Sequence, residues 1–334
     1  AVSYVTATHL FACSFEHIAL CSSKPFIMAN LRLFNHYILH CLDELRFRRT
    51  TVCPLTYVDK YVAHQTQPSY TQVIPFNVWQ TWTTVHLPPR IARIVRRFRK
   101  LNPEYSHHLY TDLDCNNFIR EHYGGSDVEK AYFRINPAYG AARADFWRYC
   151  VLYVHGGVYL DIDSTCELPL KKLIKSQDKA VLSHENNKIV DWGPQLELMS
   201  LDNFLESPPL DTLTYSDNVL LQWLLIYTPN HPFLESVIEN TTRAILDYKE
   251  SNKENRLSGH VRTIALTGPL RYTDSVWKIL NSTTNLANTY RVDGIDFSGK
   301  ATFQFWGHND KNKQRAHYSI LESSFVIDDN LKTR

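Results

Sequence analysis

No two of the seven cysteines (Cys13, Cys21, Cys41, Cys53, Cys115, Cys150 and Cys166) have CxxC spacing, and their count is odd. A structural zinc site is therefore not indicated, and a chain this long with so few cysteines is no disulfide-dense scaffold. One or two bridges stay open, and with them the redox compartment. Long apolar runs are lacking too. A membrane helix needs roughly 18 uninterrupted apolar residues, and the best window, Val5 to Cys21, is broken by His9, Glu16 and His17. No basic residue precedes that window, so it is a poor signal peptide. An excess of charge is missing as well. Lys plus Arg is 36 against 34 Asp plus Glu, a net +2, which argues against a nucleic-acid partner and against an acidic tail. No internal repeat or low-complexity tract occurs.

What is present is globular: 334 residues, 44% hydrophobic and 21% charged, enough chain for a full core in one large domain or two ordinary ones. The chain starts at Ala1 and its first methionine is Met28. Residues 1–27 are read either as part of something longer or as sequence upstream of the true start, and an anchor lost from this end fits both readings. Leu31 to Leu45 has apolar residues at helical spacing. A polar stretch from His64 to Tyr70 reads as a linker, so residues 1–70 are expected to be a stem or helical appendage and 71–334 the main domain.

From Val73 short apolar runs alternate with helical patterns, the texture of an α/β layer fold. Val73 to Trp79 reads as a strand. Pro88-Pro89 opens a helix with Ile91, Ile94, Val95 and Phe98 on one face. Its other face carries Arg90, Arg93, Arg96, Arg97, Arg99 and Lys100, a solvated face or a surface for an acidic partner or membrane. His107 to Tyr110 reads as a second strand.

The centre, Asn136 to Asp163, is the most informative segment. Asn136 with Pro137 predicts a helix start, Ala138 to Val154 the helix, and Gly156 its left-handed end. A buried strand, Val158 to Ile162, then ends in Asp161 and Asp163. Two carboxylates two residues apart on an extended chain point the same way, and oxygen ligands of this kind suit Mg²⁺ or Mn²⁺ completed by substrate phosphates. Asp145 and Arg148, three apart, share a helix face. They read either as a surface ion pair or as a pair aimed across the helix–strand junction at the same ligand.

These residues resemble glycosyltransferase family 32, which includes fungal α-1,6-mannosyltransferases, sphingolipid mannosyltransferases and capsule enzymes, and shares its core with the clostridial glucosylating toxins. The resemblance rests on Asp145-Phe-Trp-Arg148, Gly156-Gly157 and Tyr159-Leu-Asp161-Ile-Asp163. Further matches are Ile74-Pro75, Gln80-Thr81-Trp82, Asn102-Pro103-Glu104-Tyr105, His231-Pro232-Phe233 and Thr267-Gly268-Pro269. It implies an α/β, GT-A type, Rossmann-like fold for nucleotide diphosphate sugars, here with an N-terminal mainly helical appendage. It implies that Asp163 binds the metal and that Asp161 contacts the ribose or the metal. Asp145, Arg148 and Tyr159 would face the donor, and Trp82 would stack on its base. The C-terminal pattern of the family departs here, leaving His317, ahead of His308, as the expected last metal ligand.

The expectation is thus a Mn²⁺- or Mg²⁺-dependent, retaining hexosyltransferase. Its donor would be GDP-mannose or a UDP-sugar, and its acceptor a glycan or glycolipid. Its place would be the Golgi lumen, as a type II membrane protein, if eukaryotic, and the cytoplasm if bacterial or viral. Two rivals are kept. One is a haloacid-dehalogenase-like phosphatase with Asp161 as nucleophile. The other is an inactive nucleotide-sugar-binding subunit.

Overall fold

The computed structural model describes residues 54–188, 218–250, 257–282, 286, 288–303 and 317–327. The helix expected over Leu31 to Leu45 and the candidate ligand His308 lie outside them.

The described chain opens with β1 (Thr56–Tyr57) and β2 (Tyr61–Val62), followed by β3 (Asn77–Thr81), β4 (His86–Leu87), α1 (Pro89–Leu101) and β5 (Ser106–Tyr110). Three helices come next, α2 (Asp112–Tyr123), α3 (Asp127–Arg134) and α4 (Gly140–His155), leading into β6 (Gly157–Leu160) and β7 (Ser164–Cys166). Beyond these lie β8 (Ala180–Lys188), β9 (Asn218–Leu220), β10 (Leu224–Tyr227), α5 (Pro232–Asp247), α6 (Gly259–Leu266), α7 (Pro269–Ser282), β11 (Arg291–Ile295) and β12 (Ala301–Phe303).

One sheet organises them, in the order β11-β8-β10-β6-β3-β5-β2, with β9 also paired to β8. Strands β5, β3 and β6 are parallel, β10 runs antiparallel between β6 and β8, and β11 is parallel to β8. This is the mixed α/β arrangement expected from the sequence. Helices α2, α4, α5 and α7 cover one face through a core that includes Phe118, Phe146, Trp147, Val237 and Trp277. The apolar stripe of α1, with Ile91, Ala92 and Val95, packs on Val58, Leu87, Leu109 and Ile162.

Three local expectations shift. The first core strand starts at Asn77 instead of Val73, because the Asn77 N–H turns back onto the Pro75 carbonyl at 2.8 Å. The central helix starts at Gly140, not Ala138: Asn136 and Pro137 form a turn, with Tyr139 N–H on the Asn136 carbonyl at 2.9 Å. Residues before the expected 70/71 boundary also belong to the sheet, since β2 pairs with β5 through Tyr61↔His108 and Val62↔His107. Cys115, Cys150 and Cys166 are buried free thiols. Among the described residues no helix is long and apolar enough to cross a membrane.

The segment 317–327 is tied to the start of α4. Tyr139 OH donates to the Ser323 carbonyl at 2.8 Å, and Asn136 Nδ2 to the Ser324 carbonyl at 2.8 Å. The buried Arg262 donates to Tyr139 OH and to the Ser323 carbonyl, while Glu250, its ion-pair partner, accepts the Phe325 N–H.

Candidate active site

The turn between α4 and β6 sets the site's position. Gly156 (φ 62) and Gly157 (φ 104) lie in the left-handed region, which side chains disfavour. A Cβ on Gly157 would also sit 2.5 Å from the Asn77 carbonyl oxygen, and one on Gly156 2.5 Å from Pro229 Cδ. From this turn the helix runs back over the strand. Asp145 and Arg148 stand about 12–17 Å up the helix at roughly 1.5 Å per residue. Asp161 stands about 17 Å up the strand at roughly 3.3 Å per residue. The three side chains therefore arrive at one level, at the carboxyl end of β6.

There they form a buried network. Arg148 Nη2 lies 2.8 Å from Asp161 Oδ1 and 3.0 Å from Asp145 Oδ1. Its Nη1 donates to the Gln222 side-chain and main-chain oxygens at 2.8 and 3.0 Å. Gln222 Nε2 donates in turn to Asp145 Oδ1 and to Tyr149 OH, and Thr267 Oγ donates to Asp145 Oδ2 at 3.0 Å. Tyr159 OH donates to Asp161 Oδ1 at 2.6 Å, and the Arg148 guanidinium lies over the Tyr159 ring. So the Asp145–Arg148 pair is no solvated surface pair: both residues are buried. Burial works against the Arg148 charge, but Asp161, Tyr159 and Asp145 outweigh it and hold the guanidinium ionised. Burial also pushes the Asp145 carboxyl upward, with Asp161 adding to it, while Arg148, Gln222 and Thr267 act against both.

Asp163 does not share an extended strand with Asp161. The strand ends at Leu160, and Ser164 N–H closes a turn on the Asp161 carbonyl at 2.9 Å. Asp161, at 24% side-chain exposure, has Oδ1 held by Arg148 and Tyr159, and Asp163 is half-buried. Tyr159, expected to face the donor, is fully buried beneath Asp161 and supports that carboxylate instead. Trp82 follows β3 and is half-buried against the Leu87–Ile91 cluster, its indole N–H without an acceptor among the described residues. His317 uses Nδ1 to accept the Ser319 N–H at 3.2 Å, so it caps the 3₁₀ turn Tyr318–Ile320. Among the described residues no three His, Cys, Asp or Glu side chains converge into a metal cage. The neighbouring Tyr318 is nearer the network. Burial pushes its hydroxyl up, and Asp145 and Asp161 push it further.

A cleft of about 230 Å³ opens between the ends of β3 and β5 and the start of α4, lined by residues including Thr81, Asp112, Asn116, Arg143 and Ala144. Strand β3 has β5 on one side and β6 on the other, the reversal of strand order at which open α/β sheets bind ligands. Sequence reasoning missed Gln222, Tyr149 and Tyr318. Gln222 does leave a trace, as the one polar residue in the run Val219 to Tyr227.

Residues 88–180 match the family described as "Glycosyltransferase sugar-binding region containing DXD motif", and Asp161-Ile-Asp163 is that motif here. The match covers 93 of the 334 residues, and over this segment the chain resembles that glycosyltransferase family. It is similar to the initiation-specific alpha-1,6-mannosyltransferase of Candida albicans, 28% identical over 221 residues, covering 62% of this chain and 54% of that protein. It is also similar to inositol phosphoceramide mannosyltransferase 2 of Schizosaccharomyces pombe, 36% identical over 133 residues, covering 38% and 37%. Among solved structures, the PaToxG glycosyltransferase gives a TM-score of 0.41 at 14% identity, covering 61% of this chain and 69% of that one. The chain spans about half the length of the first curated relatives it matches. These similarities are to glycosyltransferases and give the phosphatase reading no support.

Proposed function

We propose that this chain transfers a hexose, with mannose favoured, from a nucleotide diphosphate sugar to a hydroxyl of a glycan or glycolipid, with retention of configuration. The observation that carries the reading is the buried Asp145–Arg148–Asp161 network at the carboxyl end of β6, within the matched region and beside β3, where the strand order reverses. Mannose and the acceptor class are supported by the names of the fungal relatives, an initiation-specific alpha-1,6-mannosyltransferase and an inositol phosphoceramide mannosyltransferase.

The donor set suits a hard divalent cation. Asp163 and the outer oxygen of Asp161 offer carboxylate oxygens, and a cation that also binds a diphosphate needs only one or two of these from the protein. That is why the absence of a three-residue cage among the described residues does not count against it. When bound, Mn²⁺ or Mg²⁺ would neutralise charge building on the leaving diphosphate. The chain's own residues do the rest. Arg148 fixes the Asp161 carboxylate and brings a permanent positive charge to the site. Asp145, held on both oxygens, presents a fixed acceptor towards the donor sugar. The end of β3 takes the nucleoside, with Trp82 for its base. His317 is proposed as the further ligand.

A panel of nucleotide sugars, scored for nucleoside diphosphate release with and without Mn²⁺, tests this. Metal-dependent release from GDP-mannose above the UDP-sugars is expected. Binding of a nucleotide sugar with no release or transfer would favour the inactive-subunit reading instead.

A further inference from the structure

We propose that α1 and the adjoining strand β1 form a membrane-facing surface that binds anionic lipid headgroups. Helix α1 carries six cationic side chains and no acidic one. Its buried residues face the sheet, so the helical period turns Arg93, Arg96, Arg97 and Lys100 outward, and all four are exposed. Among the described residues none of these four makes an ion pair. Arg96 donates to the Tyr57 carbonyl at 2.9 Å, a contact that leaves its charge uncompensated. The chain has 36 basic and 34 acidic residues. Setting aside the six on α1 leaves 30 against 34, so a nearly neutral molecule concentrates its positive charge on this one helix.

The charge has apolar company. Tyr57 is 54% exposed, and the Arg96 contact with its carbonyl places it directly against the helix. Tyrosine rings favour the headgroup level of a bilayer, with the ring in the apolar boundary and the hydroxyl in water. An acidic protein would match the arginines alone, whereas an anionic bilayer takes both the cations and the ring.

Co-sedimentation of the full chain with vesicles tests this, comparing phosphatidylcholine alone with phosphatidylcholine plus phosphatidylserine. Binding to the second only, weakening as salt rises, is expected. Loss of three cations in R93Q/R97Q/K100Q should weaken it by roughly a hundredfold, about fivefold per charge. Y57S should weaken binding while leaving its salt dependence. Donor hydrolysis and Tm should stay unchanged in both variants, since these side chains are exposed and outside the site. Equal binding to both vesicle types, an unaltered triple variant, or capture by polyglutamate in preference to vesicles would overturn the proposal. The salt series on the unaltered chain decides even if a variant fails to fold.

Discussion

Arg148 Nη2 and Asp161 Oδ1 stand 2.8 Å apart, 13 residues distant in the chain, across a turn made by two glycines. A helix side chain and a strand-end carboxylate are locked together before any ligand arrives. The same guanidinium also holds Asp145 and Gln222.

Arg148→Lys should therefore lose roughly a hundredfold or more in kcat, because an ammonium lacks the planar fork that bridges three partners. Arg148→Ala should in addition destabilise the fold by about 3–5 kcal/mol, since buried carboxylates are left unpaired. Donor hydrolysis and denaturant unfolding measure the two effects. Near-normal turnover by the lysine variant would show that Arg148 is not part of the donor site.

Asp163→Asn should abolish metal-dependent transfer with little change in Tm measured without metal, because the carboxylate charge is what a cation needs. His317→Ala should raise the Mn²⁺ concentration for half activity more than His308→Ala does. Equal and negligible effects of the two histidine changes would remove both from the metal shell.

Gly157→Ala should cost more than about 2 kcal/mol, through a left-handed backbone and a Cβ placed on the Asn77 carbonyl. Thermal melting would register this as a drop of several degrees, and an unchanged Tm would contradict the geometry of the turn.

Much of the site was legible because it is local. The Gly-Gly turn, the amphipathic α1, and the equal rise to Asp145, Arg148 and Asp161 all follow from periods that a sequence displays. The rest depends on partners far along the chain. Gln222 is chosen by Arg148, 74 residues away, and Thr267 by Asp145, 122 residues away, so neither advertises itself locally. The extended reading of Asp161 and Asp163 failed because one turn hydrogen bond ends the strand. The boundary at 70/71 overlooked β2, which is two residues long and held mainly by its neighbour β5.

A chain starting at Pro54 should melt like the full chain and still release nucleoside diphosphate slowly. A chain starting at Thr71 loses the Leu109 N–H bond to the Lys60 carbonyl and the Lys60–Asp114 ion pair, and bares the edge of β5. It should melt lower and aggregate. If the two behave alike, residues 54–70 are dispensable to the sheet.

Acid should also unfold the protein early. Burial lowers His107, His108 and His231 to about 4, while the unfolded chain titrates near the ordinary value of 6.5. Between those values the unfolded state binds more protons, so stability is full above about pH 6.5 and falls as pH drops towards 4. A pH series of Tm should slope downward through that window. A flat profile would mean that these rings are already solvated in the folded state.

The ties between Tyr139 and the segment 317–327 have a consequence for how the protein is made. Tyr139 stands at the start of the helix bearing Asp145 and Arg148, and its hydroxyl contacts carbonyls 182 and 184 residues downstream. At roughly 5–20 residues per second on the ribosome, the helix waits on the order of ten seconds or more for those partners to be translated. The donor-side residues are thus synthesised well before their anchor, so a nascent chain that has not yet reached residue 323 carries the motif without its clasp.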